Sequence, residues 1–234
     1  MLFTIPIFIS FIAFTIFSYK HYNKKQQQLI IMTLLYVLFF LKLTEYTIYG
    51  LTLNIQKIPI EFSTISYFIF SISMIFHIKW LKPFATFGAF LSGLGYLVSF
   101  IFLGKSYFME LTLYDASMAF LNHAILFYTS ILVMKHDMFV QKNNKSFYIF
   151  TLLFLAYYIV VHRFISFSNP YIFINVLLQG DILKEIIQNN EVTTLIFMIY
   201  FSSLLLLYRI MISIFHVINK KIYTNEKVRH EHTI

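Results

Sequence analysis

Side chains that carry charge or exchange protons sit inside runs that are otherwise apolar: Lys42, Glu45, Glu61, Asp115, His123, His162, Arg163 and Arg209. In the stretch IPIEFSTIS, residues 58–66, Glu61 stands beside the hydroxyls of Ser63, Thr64 and Ser66. Carboxylates, imidazoles and ammonium groups in such places suit two kinds of chemistry. They move protons, or they hold a polar or charged solute. Spacing orders the candidates. Lys42 and Glu45 are three apart and pair on one helical stripe. Asp115 and Asn122 are seven apart and share a face. Asp115 and His123 are eight apart, about 80° around a helix, so they can line one chamber without touching. Each has a plainer reading. Lys42 with Glu45 is a structural pair, Arg163 snorkels to headgroups, and His123 is an interhelical hydrogen-bonding group. Glu61 is an end-of-helix carboxylate wetted at the interface.

The elements that position these residues follow from composition. The 234-residue chain is 59% hydrophobic and only 12% charged. Soluble domains carry about 25% charge, so too little polar surface remains to cover a water-soluble globule. Continuous apolar runs at 2–18, 29–51, 58–78, 84–104, 112–134, 146–165 and 192–218 predict helices, because lipid forces backbone groups to pair within the segment. The expected fold is all-α, a polytopic bundle of about seven transmembrane helices. Residues 1–218 form one bundle and 219–234 a short basic tail. The start, MLFTIPIF, lacks a basic lead and a small-residue cleavage site, and reads as a retained helix. The connection 166–191, with INVLLQGDILKEIIQ, reads as an amphipathic connector or an interfacial helix.

Basic residues set the orientation. Lys20, Lys24 and Lys25, then Lys79 and Lys82, then Lys135, Lys142 and Lys145, then Lys220, Lys221, Lys227 and Arg229 fall on one side of an alternating topology. The other side has Lys57, Lys105 and Lys184, the last amid Asp181, Glu185 and Glu191. This predicts an outer N-terminus and a cytoplasmic C-terminus in a multi-pass protein of the cell membrane. The net charge of +8 is dispersed in this way, so nucleic acid is not expected as a partner; membrane lipids are. On that topology most of the ionisable set lies in the outer half. Glu45 is about 9 Å deep, Glu61 and Ser63 about 5–8 Å, and His123 about 16 Å. Without cysteine there is no disulfide or thiolate site. No phosphate-cradling glycine loop or His-x-x-x-His pair is present, so no cofactor or metal is expected.

The order of features, Glu45, then IPIEFSTISYF, then LSGLGYLVSFIF, then FLNHAILFYTSILV, resembles the YwaF family of bacterial integral membrane proteins. The likeness spans roughly residues 29–135, with a weaker echo at SNPYIFINVL. Distant eukaryotic relatives of that family are transmembrane phospholipid acyltransferases. Pro59, Phe62 and His123 match the family pattern. Glu61 stands where the family has histidine, and Ser63 where it has cysteine. The resemblance implies acyl transfer or lipid hydrolysis, with Ser63 as nucleophile, His123 as base and Asn122 or Thr64 near the oxyanion. A serine hydroxyl needs its base within about 2.6–3.2 Å, or one water away. The alternative is a small-solute carrier or binding protein whose polar pocket holds Lys42, Glu45, Glu61, Asp115 and Arg163. Gly88, Gly93 and Gly95 mark either a broken transporter helix or close helix packing. A scaffold or sensor without catalysis is a third reading.

Overall fold

The computed structural model describes residues 4–102, 113–140, 144–165 and 194–231. Among them are α1 (Thr4–His21), α2 (Lys24–Leu51), α3 (Phe62–Ile75), α4 (Lys82–Phe102), α5 (Leu113–His136), α6 (Asn144–Phe164) and α7 (Thr194–Glu231). A 3-10 turn, Ile55–Lys57, precedes α3. No strand occurs among the described residues. Five helices are long and apolar enough to cross a membrane: α2, α4, most of α5, α6, and Met198–Thr224 of α7. The chain is a membrane protein. The expected 166–191 connector and the SNPYIFINVL echo lie outside the described residues.

Two elements depart from the sequence reading. The third apolar segment begins at residue 58, yet α3 begins at Phe62. Pro59 explains the delay, because the residue before a proline is pushed out of the helical region. Tyr157 on α6 donates its hydroxyl to the Pro59 carbonyl at 2.9 Å and holds this extended lead in place. At fourteen residues α3 is about 21 Å long, short of a hydrocarbon core of about 30 Å. Its face of Ser66, Tyr67, Phe70, Ser71, Ser73 and Met74 is buried against other helices. At the other end of the chain, α7 runs past residue 218 without a break as far as Glu231. The basic tail expected there continues the last helix.

Packing centres on α4. Gly93 lets α5 approach so closely that a Cβ there would lie 2.6 Å from the Phe127 nitrogen and 2.8 Å from the His123 carbonyl oxygen. At Gly88 a Cβ would lie 2.9 Å from Ser66 Oγ on α3. Around Gly95 there is open space. Since α4 is continuous, the glycines do not mark a broken helix, and Gly88 and Gly93 serve close helix packing. Phe84, Phe87, Phe147 and Phe215 pack edge-to-face around the core and tie α4 to α6 and α7.

The lysine-rich connections gather at one end and are stitched together. Asn23 caps α2 in a reciprocal box with Gln26. Gln27, fully buried, donates to the Ser18 and Tyr19 carbonyls at the end of α1. Lys135 also donates to the Tyr19 carbonyl, at 2.7 Å, and lies over the Tyr19 ring. His136 faces Gln27 Oε1 at 2.8 Å, and Lys82 pairs with Asp137 at 2.6 Å. From α7, Asn219 accepts the Phe139 N–H and donates to the Met134 and Asp137 carbonyls, while His216 bridges the Phe139 carbonyl and Asn144. The last carbonyls of α1 and α5, orphaned by helix geometry, thus find donors on neighbouring helices.

The glycine contacts set a prediction. Gly93→Ala lowers stability in detergent by about 1–3 kcal/mol through overpacking. Gly95→Ala leaves it unchanged or raises it, since alanine favours helix. Thermal unfolding of the two purified variants checks the contrast.

Candidate functional site

Opposite the stitched end, α2, α3 and α5 diverge around a cavity of about 940 Å³. Each helix contributes a stripe. On α2 it is Lys42, Glu45, Tyr46 and Tyr49, at spacings of three and four. On α3 it is Ser63, Thr64 and Tyr67, and on α5 Asp115, Met118, Ala119, Asn122 and His123. Such spacings keep side chains on one helical face. The cavity continues down α2 past Leu41, Phe40 and Val37 to Tyr36. From Tyr49 to Tyr36 this is about 20 Å along the helix. One end is therefore polar and the other apolar.

The floor is buried and the rim is not. Lys42, Tyr67, Asn122 and His123 are all buried. The exposed lining residues, Tyr36, Val37, Phe40, Leu41, Thr44 and Ile48 on one side and Tyr114 and Asp115 on the other, belong to α2 and α5. The cavity opens between those two helices.

A hydrogen-bonded chain organises the polar end. His123 Nδ1 lies 3.1 Å from the Ser92 carbonyl oxygen, which only accepts, so Nδ1 carries the proton. Nε2, 2.9 Å from the Tyr67 hydroxyl, then accepts its O–H. Tyr96 stacks on the imidazole with ring centroids 4.2 Å apart and planes nearly parallel. The Tyr67 ring lies beneath Lys42 Nζ, 5.0 Å from its centroid. Lys42 donates to Glu45 Oε2 at 2.7 Å, and Tyr49 donates to Glu45 Oε1 at 3.0 Å. Behind α3, Ser92 Oγ donates to Ser66 Oγ at 3.3 Å. Asn122 departs from this pattern. Asn122 is 3% exposed, and its Oδ1 has no hydrogen-bond partner among the described residues. Asn219 is equally buried with every amide atom engaged.

The sequence candidates divide. Ser63, His123, Lys42, Glu45, Asp115 and Asn122 line this one cavity. Glu61 and Arg163 do not. Glu61 is the residue before α3, in extended conformation, because Pro59 delays the helix. Arg163 is exposed near the end of α6, as are His162 beside it and Arg209 on α7. Accordingly α6 supplies no wall of the cavity. The expected Ser63–His123 pairing is not made: both imidazole nitrogens of His123 are engaged, by Tyr67 and by the Ser92 carbonyl. The tyrosines were not among the sequence candidates. Their signal was present, since Tyr46 and Tyr49 lie four residues after Lys42 and Glu45, and Tyr67 four after Ser63. Among the described residues no group of His, Asp and Glu is placed to hold a metal.

No protein-family model matches the chain, and no curated protein or solved structure matches it either.

Two substitutions separate the roles of the buried polar groups. Tyr67→Phe strands His123 Nε2 and costs about 1–3 kcal/mol. Asn122→Leu loses no hydrogen bond at Oδ1 and leaves stability unchanged or raised. Thermal unfolding in one neutral detergent reads both, and equal losses would contradict the assignment.

Proposed function

We propose that the protein binds a small amphiphile in the cavity between α2, α3 and α5, as a membrane-embedded binding protein or carrier without catalysis. The observation that carries this reading is the cavity's polarity. A polar head end holding Lys42, Glu45, Asp115 and Asn122 grades into an apolar end along α2. An amphiphile dissolved in the bilayer meets the exposed rim from the side, slides its chain along Val37, Phe40 and Leu41, and brings its head to the buried polar floor. Cavities of this size suit drug-sized ligands, with a few placed polar groups fixing their orientation. A buried acceptor left unpartnered costs stability, which a ligand donor would restore. The cell membrane is the proposed location, with the lysine-rich end in the cytoplasm.

A second reading follows the YwaF resemblance: acyl transfer or hydrolysis with Ser63 as nucleophile. Its support is that Ser63 and His123 share the cavity. The engagement of His123 with Tyr67 weighs against it, because the lone pair that would take the serine proton already accepts the phenol O–H. Under the binding reading, expression of Ser63→Ala and of the wild type gives the same phospholipid and free fatty acid profile. A change made by the wild type alone would favour the enzyme.

The binding reading predicts where a ligand sits. A single-chain amphiphile bearing a diazirine in its tail, photolysed in native membranes, labels peptides covering 36–49 and 114–123. Ala119→Trp, which fills the cavity, suppresses that labelling several-fold. Labelling spread evenly over the exposed faces of α6 and α7, and insensitive to Ala119→Trp, would contradict the site.

A further inference from the structure

We infer that α7 is an assembly surface for a transmembrane helix of a different protein, one carrying an Asp or Glu near its middle to pair with Arg209. The inference does not depend on the cavity. Other cations at membrane depth are provided for within the chain. Lys42 pairs with Glu45, and Lys135 donates to the Tyr19 carbonyl. Arg209 is exposed, and its guanidinium has no ion pair or hydrogen bond among the described residues. Depth makes that costly. Met198 and the exposed Lys220 stand on either side of Arg209, each about 16 Å away along the helix. Its neighbour Tyr208 bonds Thr151, well inside α6. Helical Cα–Cβ bonds lean toward the N-terminus, which on α7 is the end away from the lysines. Snorkelling to the lysine-rich surface runs against that lean, and the opposite surface is too far for one side chain. Hydrocarbon solvates a guanidinium poorly, so an opposite charge at the same depth removes the cost.

The face around Arg209 is shaped for a helix. The inward side of α7, with Ile212, Phe215, His216 and Asn219, packs on the bundle. Away from it, Ser202, Leu206, Arg209 and Ser213 fall within an arc of about 60° and are all exposed. Two shallow depressions lined by α7 alone meet at Leu206 and together run from Met198 to Ile218. Ser203 and Ser213 turn their hydroxyls back onto the Ile199 and Arg209 carbonyls of their own helix. What they present outward is small, and small residues let a second helix backbone come close. Exposed leucine and isoleucine need only lipid; the guanidinium needs an acid.

Charge also argues against a second copy of this chain. Two-fold packing of α7 on α7 would set Arg209 against Arg209. Among the described residues no acid lies at the depth of Arg209. Glu45, Glu61 and Asp115 belong to the cavity end of the bundle, and Asp137 pairs with Lys82 at the lysine-rich end. Glu226 and Glu231 follow Lys220. The acid therefore comes from another protein. At this depth only a membrane-spanning helix can present it.

The test reconstitutes the full chain, labelled at one terminus with a fluorescent donor, into phosphatidylcholine vesicles. Acceptor-labelled synthetic helices of about 20 leucines are added: one all-leucine, one with a central Asp, one with Asp near an end. Energy transfer reads association. The central-Asp helix is expected to half-saturate at a mole fraction about tenfold lower than the all-leucine helix. Moving the Asp to the end should remove most of that advantage. Arg209→Leu should make the three helices equal, and Arg209→Asp should reverse the preference toward a helix with a central Lys. Ser213→Leu should weaken binding, while Leu152→Trp on the exposed face of α6 should not. Equal binding of the three helices to the wild type, or a preference for Asp that survives Arg209→Leu, would overturn the inference. Energy transfer between copies of the chain that is lost in Arg209→Leu would make the partner a second copy and overturn it too. So would loss of the Asp advantage when phosphatidylglycerol replaces part of the phosphatidylcholine, since lipid headgroups would then serve Arg209.

Discussion

Hydrocarbon offers no hydrogen bonds, and the architecture of this chain follows from that refusal. A polar group that enters the bilayer core must find its partner inside the protein or lose several kcal/mol. The molecule answers this differently at its two ends. At the lysine-rich end long side chains reach across to supply the partners. Gln27, Lys135, His136 and Asn219 are matched to helix-terminal carbonyls or to one another. At the other end Asn122 Oδ1 faces the cavity's polar end without a hydrogen-bond partner among the described residues. Since most buried polar side-chain atoms in folded proteins are satisfied, an orphan beside a cavity is the natural place to look for a ligand.

The cavity exists because of how α3 and α4 are built. Close contact at Gly93 clamps α5 to α4, and Gly88 seats α3 against α4 beside Ser66. That three-helix wedge fixes Tyr67, Ser92 and His123 relative to one another. With α3 beginning only at Phe62, its first turn presents Ser63 and Thr64 to the cavity while Glu61 stays outside it. α2 leans on this wedge through its buried stripe of Ile31, Leu35 and Leu38. Beyond Leu38 the stripe turns polar at Lys42, and there α2 and α5 leave the cavity open between them.

Much of this was legible in the sequence. Uninterrupted apolar runs located every described helix, because a helix buried in lipid has to be apolar nearly throughout. The convergence of Lys42, Glu45, Asp115, Asn122 and His123 was readable from depth and helical face alone. Chain-distant packing was not. Nothing in IPIEFSTIS states that Tyr157 holds Pro59 in an extended lead, so the sequence puts Glu61 inside the third helix, whereas it is the residue before α3. Arg163 was assigned to the pocket by its charge and depth, but which way α6 turns is decided by Phe147, Phe154 and Tyr158 on its buried side. The partner of His123 was missed for a related reason. Charges and hydroxyl clusters stand out in an apolar sequence, whereas Tyr67 looks like one more aromatic among many until its O–H is seen against the imidazole.

The central claim is that a ligand-sized space lies between α2 and α5 at the level of Ala119, in a protein whose neighbouring core is closed. Because the chain contains no cysteine, a single introduced thiol reports on one place only. The most direct measurement compares Ala119→Cys in the cavity with Leu126→Cys, two turns further along α5 and fully buried. A bulky lipid-soluble maleimide should modify Ala119→Cys rapidly in native membranes and leave Leu126→Cys untouched until the protein is denatured. Equal and slow modification of both thiols would mean that the helices close over this space, and the account would fail.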